Sequence, residues 1–180
     1  AQHLSHLIDD LKILALADAG EIPLIFQSVP PANLLRRTVD AYRMQAEQRG
    51  INLVVEIAPG LPDLNVDHDR MAQVLGNLMS NALRYTPAGG AIRLSATQSA
   101  GKVLIEVADT GKGIAVEDLP FVFSRSFRGD KARQQENGES GLGLAIAKSL
   151  VQAQGGDITV TSQLAEGSTF TIELQIAEQK

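Results

Sequence analysis

The sequence predicts an α/β two-layer sandwich, a mixed sheet with three helices on one face, preceded by part of a helical hairpin. Three observations carry this. Helical periodicity recurs over residues 31–49, 68–85 and 142–154. Alternating apolar stretches that suit strands lie at 51–57, 91–98, 102–108, 157–162 and 168–176. Helices and strands come in mixed order, five or six strands in all, with no internal repeat.

The bulk properties fit one domain of ordinary size with a short extension. The chain has 180 residues, 44% of them hydrophobic. Its net charge of −5, with both signs mixed along the chain, argues against a general nucleic-acid binder. Zero cysteine excludes disulfides and thiolate metal sites and fits a reducing cytoplasm. No apolar run approaches the roughly 18–20 residues that span a bilayer, so direct membrane contact is not expected. No signal peptide is visible at Ala1, and the chain opens inside a helical pattern, as an excised fragment would.

Taken in order, the elements justify themselves locally. Leu4, Leu7, Leu11 and Leu14 repeat with the three–four spacing of a coiled-coil or bundle seam. Two heptads are too short to stand alone in water. They read as one arm of a hairpin or as a surface helix on its own domain; the hairpin arm is the expectation. Gly20 and Pro23 close it. Residues 24–29 read as a strand. Pro31 opens an amphipathic helix that Gly50 stops. A short strand at 64–66 precedes Asp67, an N-cap for the helix over 68–85. A tight turn at Ser99–Gly101 joins two strands. Residues 110–140 show no period and are rich in Gly, charge and Phe; so long a loop suggests function. Gly155–Gly156 ends the last helix.

Three stretches carry chemistry. On the helix QVLGNLMSNALRYTP, Met71, Val74, Leu75, Leu78 and Ala82 make the apolar face. Asn77, Asn81 and Arg84 fall on another face at i, i+4 and i+7. Asparagine is a poor helix former, so the stripe is either a solvated polar face or an amide wall. Such a wall could offer a carbonyl to a hard cation, with Arg84 near a phosphate. In VLIEVADTGKGI a strand ends at Asp109 and turns through Gly111 and Gly113. Asp109 can accept a hydrogen bond from an exocyclic amine, and the glycines let backbone approach a ligand; a solvated turn is the plainer alternative. In NGESGLGLAIAKSL, Gly138, Gly141 and Gly143 precede and open a helix whose amides can bind an anion. The third position of a dinucleotide fingerprint is Ile146, and no Walker A loop occurs.

Together, Asn-x-x-x-Asn on a helix, a strand ending Asp-x-Gly-x-Gly, a Phe-rich stretch and Gly-x-Gly opening a helix resemble the ATP-binding domain of histidine kinases. That group belongs to the GHKL superfamily with gyrase, Hsp90 and MutL. The resemblance covers about residues 24–176 and implies the Bergerat fold. It extends into 1–20 as the second helix of a dimerisation domain, with 24–180 as the catalytic domain. It implies ATP and Mg2+, with Asn81 the metal ligand and Asn77 lining the same wall. Arg84 and Tyr85 would flank phosphates and nucleotide. Asp109 would recognise the adenine amine, helped by Gly111, Gly113, Ile114 and by Thr169 or Ser168. FVFSRSFRGD resembles the family's F box, placing Phe123, Phe127 and Arg128 on a lid, although ordinary core packing also explains the phenylalanines. Gly141, Leu142 and Gly143 would cradle phosphate. Asn77, Asn81, Arg84 and Arg128 would act in catalysis.

Two departures matter. Glu139 stands where many relatives have glycine. Asn77 stands where the ATPase branches carry a glutamate that activates water, which favours a kinase over an ATPase. His3, His6 and His68 are the only histidines, and none has the family's acceptor context. His68 lies between Asp67 and Asp69, either a metal cluster or, more simply, acids partnering a helix dipole. The resemblance thus implies a cytoplasmic catalytic domain that phosphorylates an upstream histidine for relay to a response regulator, homodimeric in the full protein. The alternatives are a non-catalytic nucleotide-sensing module and an anti-sigma-type serine kinase.

Overall fold

The computed structural model describes residues 2–125 and 141–177, with side chains from residue 7 onward. The order is α1 (Gln2–Ala19), β1 (Gln27–Val29), α2 (Pro31–Gln48), β2 (Asn52–Ile57), β3 (Leu64–Val66), α3 (His68–Tyr85), β4 (Ala91–Ser99) and β5 (Lys102–Asp109). A 3-10 turn at Leu119–Phe121, α4 (Gly143–Ala153), β6 (Asp157–Gln163) and β7 (Gly167–Gln175) follow.

Five strands form a mixed sheet in the order β2-β4-β5-β7-β6. β2 runs parallel to β4 and every other pair is antiparallel. The β4–β5 hairpin closes through Ala100 (φ 49°) and Gly101 (φ 76°), both left-handed, as a two-residue turn matched to strand twist requires. Along β5, Val103, Ile105 and Val107 are buried, while Lys102, Leu104 and Glu106 between them are only half-buried. Phe170, Ile172 and Leu174 repeat the pattern on β7. One face is therefore apolar and covered by helices. The other carries Arg93, Glu106, Thr171 and Glu173 and faces water, as antiparallel sheets allow.

α3 is the central helix of the covering layer. Met71, Val74, Leu75, Leu78, Met79, Ala82 and Leu83 bury its apolar face, each large side chain contributing about 1.5–3 kcal/mol. Asp67 is its N-cap, as its position in the sequence predicts: Oδ1 accepts the amides of Asp69 and Arg70 at 3.0 Å each. Its other oxygen has a partner that no local rule predicts. Oδ2 accepts the amide of Ile25 at 2.8 Å. The Asp67 amide in turn donates to Oε1 of Gln154, just past α4, at 2.8 Å. This explains why the expected strand at 24–29 shrinks to Gln27–Val29: the Ile25 amide is held by a carboxylate instead of a strand partner. β1 pairs only with β3, as a separate two-stranded sheet.

The leucine stripe of α1 does not stay together. Leu14 is buried with Ile13, and Leu7 packs on the core. Leu11 is 52% exposed and neighbouring Ile8 58%. One edge of α1 thus rests on the chain's own core, against α4, and another faces water. Among the described residues no helix is long and apolar enough to cross a membrane.

Candidate nucleotide site

The motif residues converge where α3 ends, α4 begins and β5 runs out. Asn77 faces α4: its Nδ2 donates to the carbonyl oxygen of Gly143 at 3.0 Å. This bond joins the asparagine stripe to the first residue of the Gly-x-Gly helix. Asn81, one turn on, is half-buried on the same side of α3. At the helix end, the Arg84 guanidinium lies 5.5 Å from the Tyr85 ring centroid and Lys112 Nζ lies 4.2 Å from it. Tyr85 is thus held among two cations, and its carbonyl accepts the Lys112 amide at 3.2 Å.

Asp109 terminates β5 and is buried, 8% exposed as a residue. Oδ1 accepts the Gly111 amide at 2.8 Å. Burial raises its pKa, and the Gly111 and Ser168 amides only partly oppose that rise. The glycines beside it are required by backbone proximity. A Cβ on Gly111 would lie 2.5 Å from the Tyr85 carbonyl oxygen. Gly113 has φ +69°, and its Cβ would meet the Gln163 carbonyl at 2.0 Å. Gly167 has φ +117°, and its Cβ would meet the Asp109 carbonyl at 1.8 Å. Three strand ends are therefore drawn together as closely as backbone permits.

A serine pair completes this corner. Ser168 is in register with Asp109 on one side and Ser162 on the other. Ser162 Oγ accepts the Ile114 amide at 2.8 Å and donates to the Gly167 carbonyl at 2.7 Å. Its single proton is then committed, so Ser168 is the donor in their 2.9 Å contact. Thr169 is in register with Ala108 and Thr161 and, by strand alternation, points to the opposite face of the sheet. Of the two hydroxyls expected from the sequence, Ser168 lies beside Asp109.

Phe123 packs edge-on to Phe170 at 6.1 Å, with Lys148 Nζ 5.1 Å from its centroid. It is anchored on β7 and α4, which favours core packing for this residue. Phe127, Arg128, Gly138, Glu139 and Ser140 lie outside the described residues. Gly141 has φ +67°, Leu142 is buried, and α4 starts at Gly143 with no side-chain cap. The N-cap residue Leu142 makes no side-chain cap bond to the first amides of α4, and amides at a helix start suit an anion.

His68 takes no part in this corner. Its ring contacts Asp69 at 3.0 Å and Arg37 at 3.3 Å. Asp67 spends its carboxylate on backbone amides, and no grouping of three metal-ligating side chains occurs among the described residues. Two contacts escape the sequence entirely. Asp18 of α1 pairs with Arg125, just after the 3-10 turn, and Asp67 joins Gln154. A cleft of about 320 Å³ beside Asp18, Ser149 and Gln152 holds none of the motif residues.

Residues 66–178 match the family described as histidine kinase-, DNA gyrase B- and HSP90-like ATPase. The chain belongs to that family. It is 36% identical to the sensor protein DivL of Caulobacter vibrioides over 99% of its own length and 22% of that protein. It is 36% identical to the sensor histidine kinase WalK of Bacillus subtilis, over 99% of itself and 30% of WalK. It thus spans less than a third of these relatives. Full-length ShkA in complex with AMPPNP is similar in structure, with a TM-score of 0.87 and 31% identity over 98% of this chain and 36% of ShkA. The Acinetobacter baumannii histidine kinase AdeS gives 0.79 and 26%, over 97% of this chain and 79% of AdeS.

Proposed function

We propose that residues 24–180 are the ATP-binding catalytic domain of a sensor histidine kinase and residues 1–20 the second helix of its dimerisation domain. The observation that carries this is the joint geometry of Asp109 and Asn77. A buried carboxylate at a strand end suits an exocyclic amine, while the asparagine stripe is bonded to a glycine-opened helix start suited to phosphates. Similarity to named sensor histidine kinases and to an AMPPNP-bound structure supports it.

In this reading Asp109 accepts the adenine amine, with Ser168 and Gly113 at its edge. Tyr85 and Arg84 flank the nucleotide, Gly141, Leu142 and Gly143 hold phosphate, and Phe127 and Arg128 belong to a lid. The amide oxygen of Asn81 is a suitable hard ligand for magnesium, which typically keeps waters and phosphates around one or two protein oxygens. Bound there, the ion would neutralise charge on the β- and γ-phosphates. A histidine nitrogen from upstream attacks the γ-phosphorus, the bond to the β-phosphate oxygen breaks, and ADP leaves. The chain's own work is positioning and electrostatics. The phosphohistidine then serves an aspartate of a response regulator, in a homodimeric, cytoplasmic kinase.

Incubation with γ-labelled ATP tests this. The chain by itself should bind nucleotide, show hydrolysis near background because Asn77 is no base, and take up no acid-labile label. Adding a separately expressed upstream hairpin should place acid-labile label on that hairpin. Acid-stable label on this chain would mean a serine kinase. Tight binding without label under any condition would mean a nucleotide-sensing module.

A further inference from the structure

Two polar rungs, one at each end of α4, join it to the start and the middle of α3. At one end the Asp67 amide donates to Gln154 Oε1 at 2.8 Å. At the other, Asn77 Nδ2 donates to the Gly143 carbonyl at 3.0 Å. Ten residues separate the first rung from the second along α3, and eleven along α4, so the helices run antiparallel. Between the rungs lie buried side chains, Val74 and Leu75 on α3 and Ile146, Ala147, Leu150 and Val151 on α4. Close-packed interiors transmit strain, which gives a shift at one rung a route to the other. Gln154 is itself fixed, its Nε2 donating to Leu150 within its own helix at 2.9 Å.

The first rung is also where the segment leaving α1 is fastened. The Ile25 amide is bound by Asp67 Oδ2, across 42 residues of sequence. Ile25 is 72% exposed, so at this residue the hydrogen bond and not apolar burial makes the tether, while Ile22 earlier in the segment packs on the core. One residue therefore ties three things together: its carboxylate holds the α1 exit segment and the start of α3, and its backbone amide holds the end of α4.

We propose that Asp67 and Gln154 are positioning residues for the nucleotide site, setting the register of α3 against α4 and coupling the α1 exit segment to Asn77 and Gly143. The inference rests on the nucleotide-binding reading above. It predicts reciprocity: nucleotide tightens the Ile25 tether, and loosening the tether weakens nucleotide.

Asp67→Asn separates tether from cap. Its amide oxygen can still accept from Asp69 and Arg70, but its NH2 would face the Ile25 amide, donor against donor. Gln154→Met breaks the rung itself, which Asp67→Asn leaves in place because its donor is the backbone amide, and keeps the proposal testable if the first variant does not fold. The measurements are calorimetric titration with magnesium AMPPNP and residue-resolved hydrogen exchange with and without it. In the wild type, nucleotide should slow exchange at Ile25 and at the first amides of α4 together. Each variant should bind nucleotide about fivefold or more weakly, the lower end of measured site-to-site couplings. Ile25 should also lose its response to nucleotide. A variant that melts earlier yet binds nucleotide as tightly as the wild type would show a merely structural cap and overturn the proposal. So would a wild-type Ile25 amide indifferent to bound nucleotide. Failure of the wild type to bind any nucleotide would overturn the function reading itself, and this inference with it.

Discussion

Asp67 and Asp109 are the same residue type at nearly the same exposure, 7% and 8%, and their carboxyls are shifted in opposite directions. For both, burial is the largest influence and pushes the pKa up. At Asp67 the amides of Ile25, Arg70 and Asp69 together outweigh it, and the carboxyl ends below its ordinary value. At Asp109 only two amides, those of Gly111 and Ser168, oppose burial, so burial wins and the carboxyl ends above. The first group has its hydrogen bonds and serves the fold. The second is left short of donors, in a corner where an exocyclic amine would supply one. A buried acceptor short of donors is a cost to the protein by itself and an asset when a ligand brings the donor.

The largest expected effect lies at Asp109. Asp109→Asn should weaken ATP binding by about 1.5–3 kcal/mol, the range for a hydrogen bond to a charged group, read by calorimetry. The free variant should be at least as stable as the wild type at neutral pH. A carboxyl whose folded pKa is raised favours the fold when protonated and penalises it as pH rises past that value, so removing the charge removes the penalty. Weaker binding together with a large loss of stability would make Asp109 a second Asp67 and dissolve the contrast.

Asp67→Ala should act the other way. Loss of the cap and of the bond to Ile25 should cost about 1–3 kcal/mol of unfolding free energy in urea. A variant as stable as the wild type would show that the cap holds little.

Acid offers the finest discrimination, with the smallest expected effect. The raised Asp109 protonates first, so nucleotide affinity should fall as pH drops through a value above 3.8. The lowered Asp67 keeps its stabilisation until pH falls below 3.8. Calorimetry and circular dichroism over the same pH series should give two separate midpoints, binding lost before fold. Coincident midpoints would contradict the opposite shifts.

These two residues also mark how far the sequence can be read. Asp67 as an N-cap was legible because capping is local: a carboxylate just before a helix meets amides two and three residues on. Its bonds to Ile25 and Gln154 span 42 and 87 residues, and no spacing rule reaches that far. The same limit shortened the strand expected at 24–29. Asp109 was legible by position, since a strand ending in Asp-x-Gly-x-Gly is a local pattern, but its burial depends on β7 lying alongside. The choice between Ser168 and Thr169 depends on the parity of the β5–β7 register, which hydrophobic alternation constrains only once the pairing is known. On α1, periodicity identified the stripe but not its surroundings: Leu14 enters the core while Leu11 faces water.

The glycines at the strand ends carry a consequence for genetics. Gly113 belongs to the Asp-x-Gly-x-Gly motif and Gly167 lies against Asp109, so a screen for lost nucleotide binding should score both among the most sensitive positions. Yet any side chain at either site would overlap a carbonyl oxygen of the neighbouring backbone, Gln163 in one case and Asp109 in the other. Alleles at these positions should therefore yield little intact protein in the cell, whereas alleles at Asp109 should leave normal amounts of an inactive one. Scoring abundance beside phenotype would divide this one corner into alleles that remove the protein and alleles that silence it.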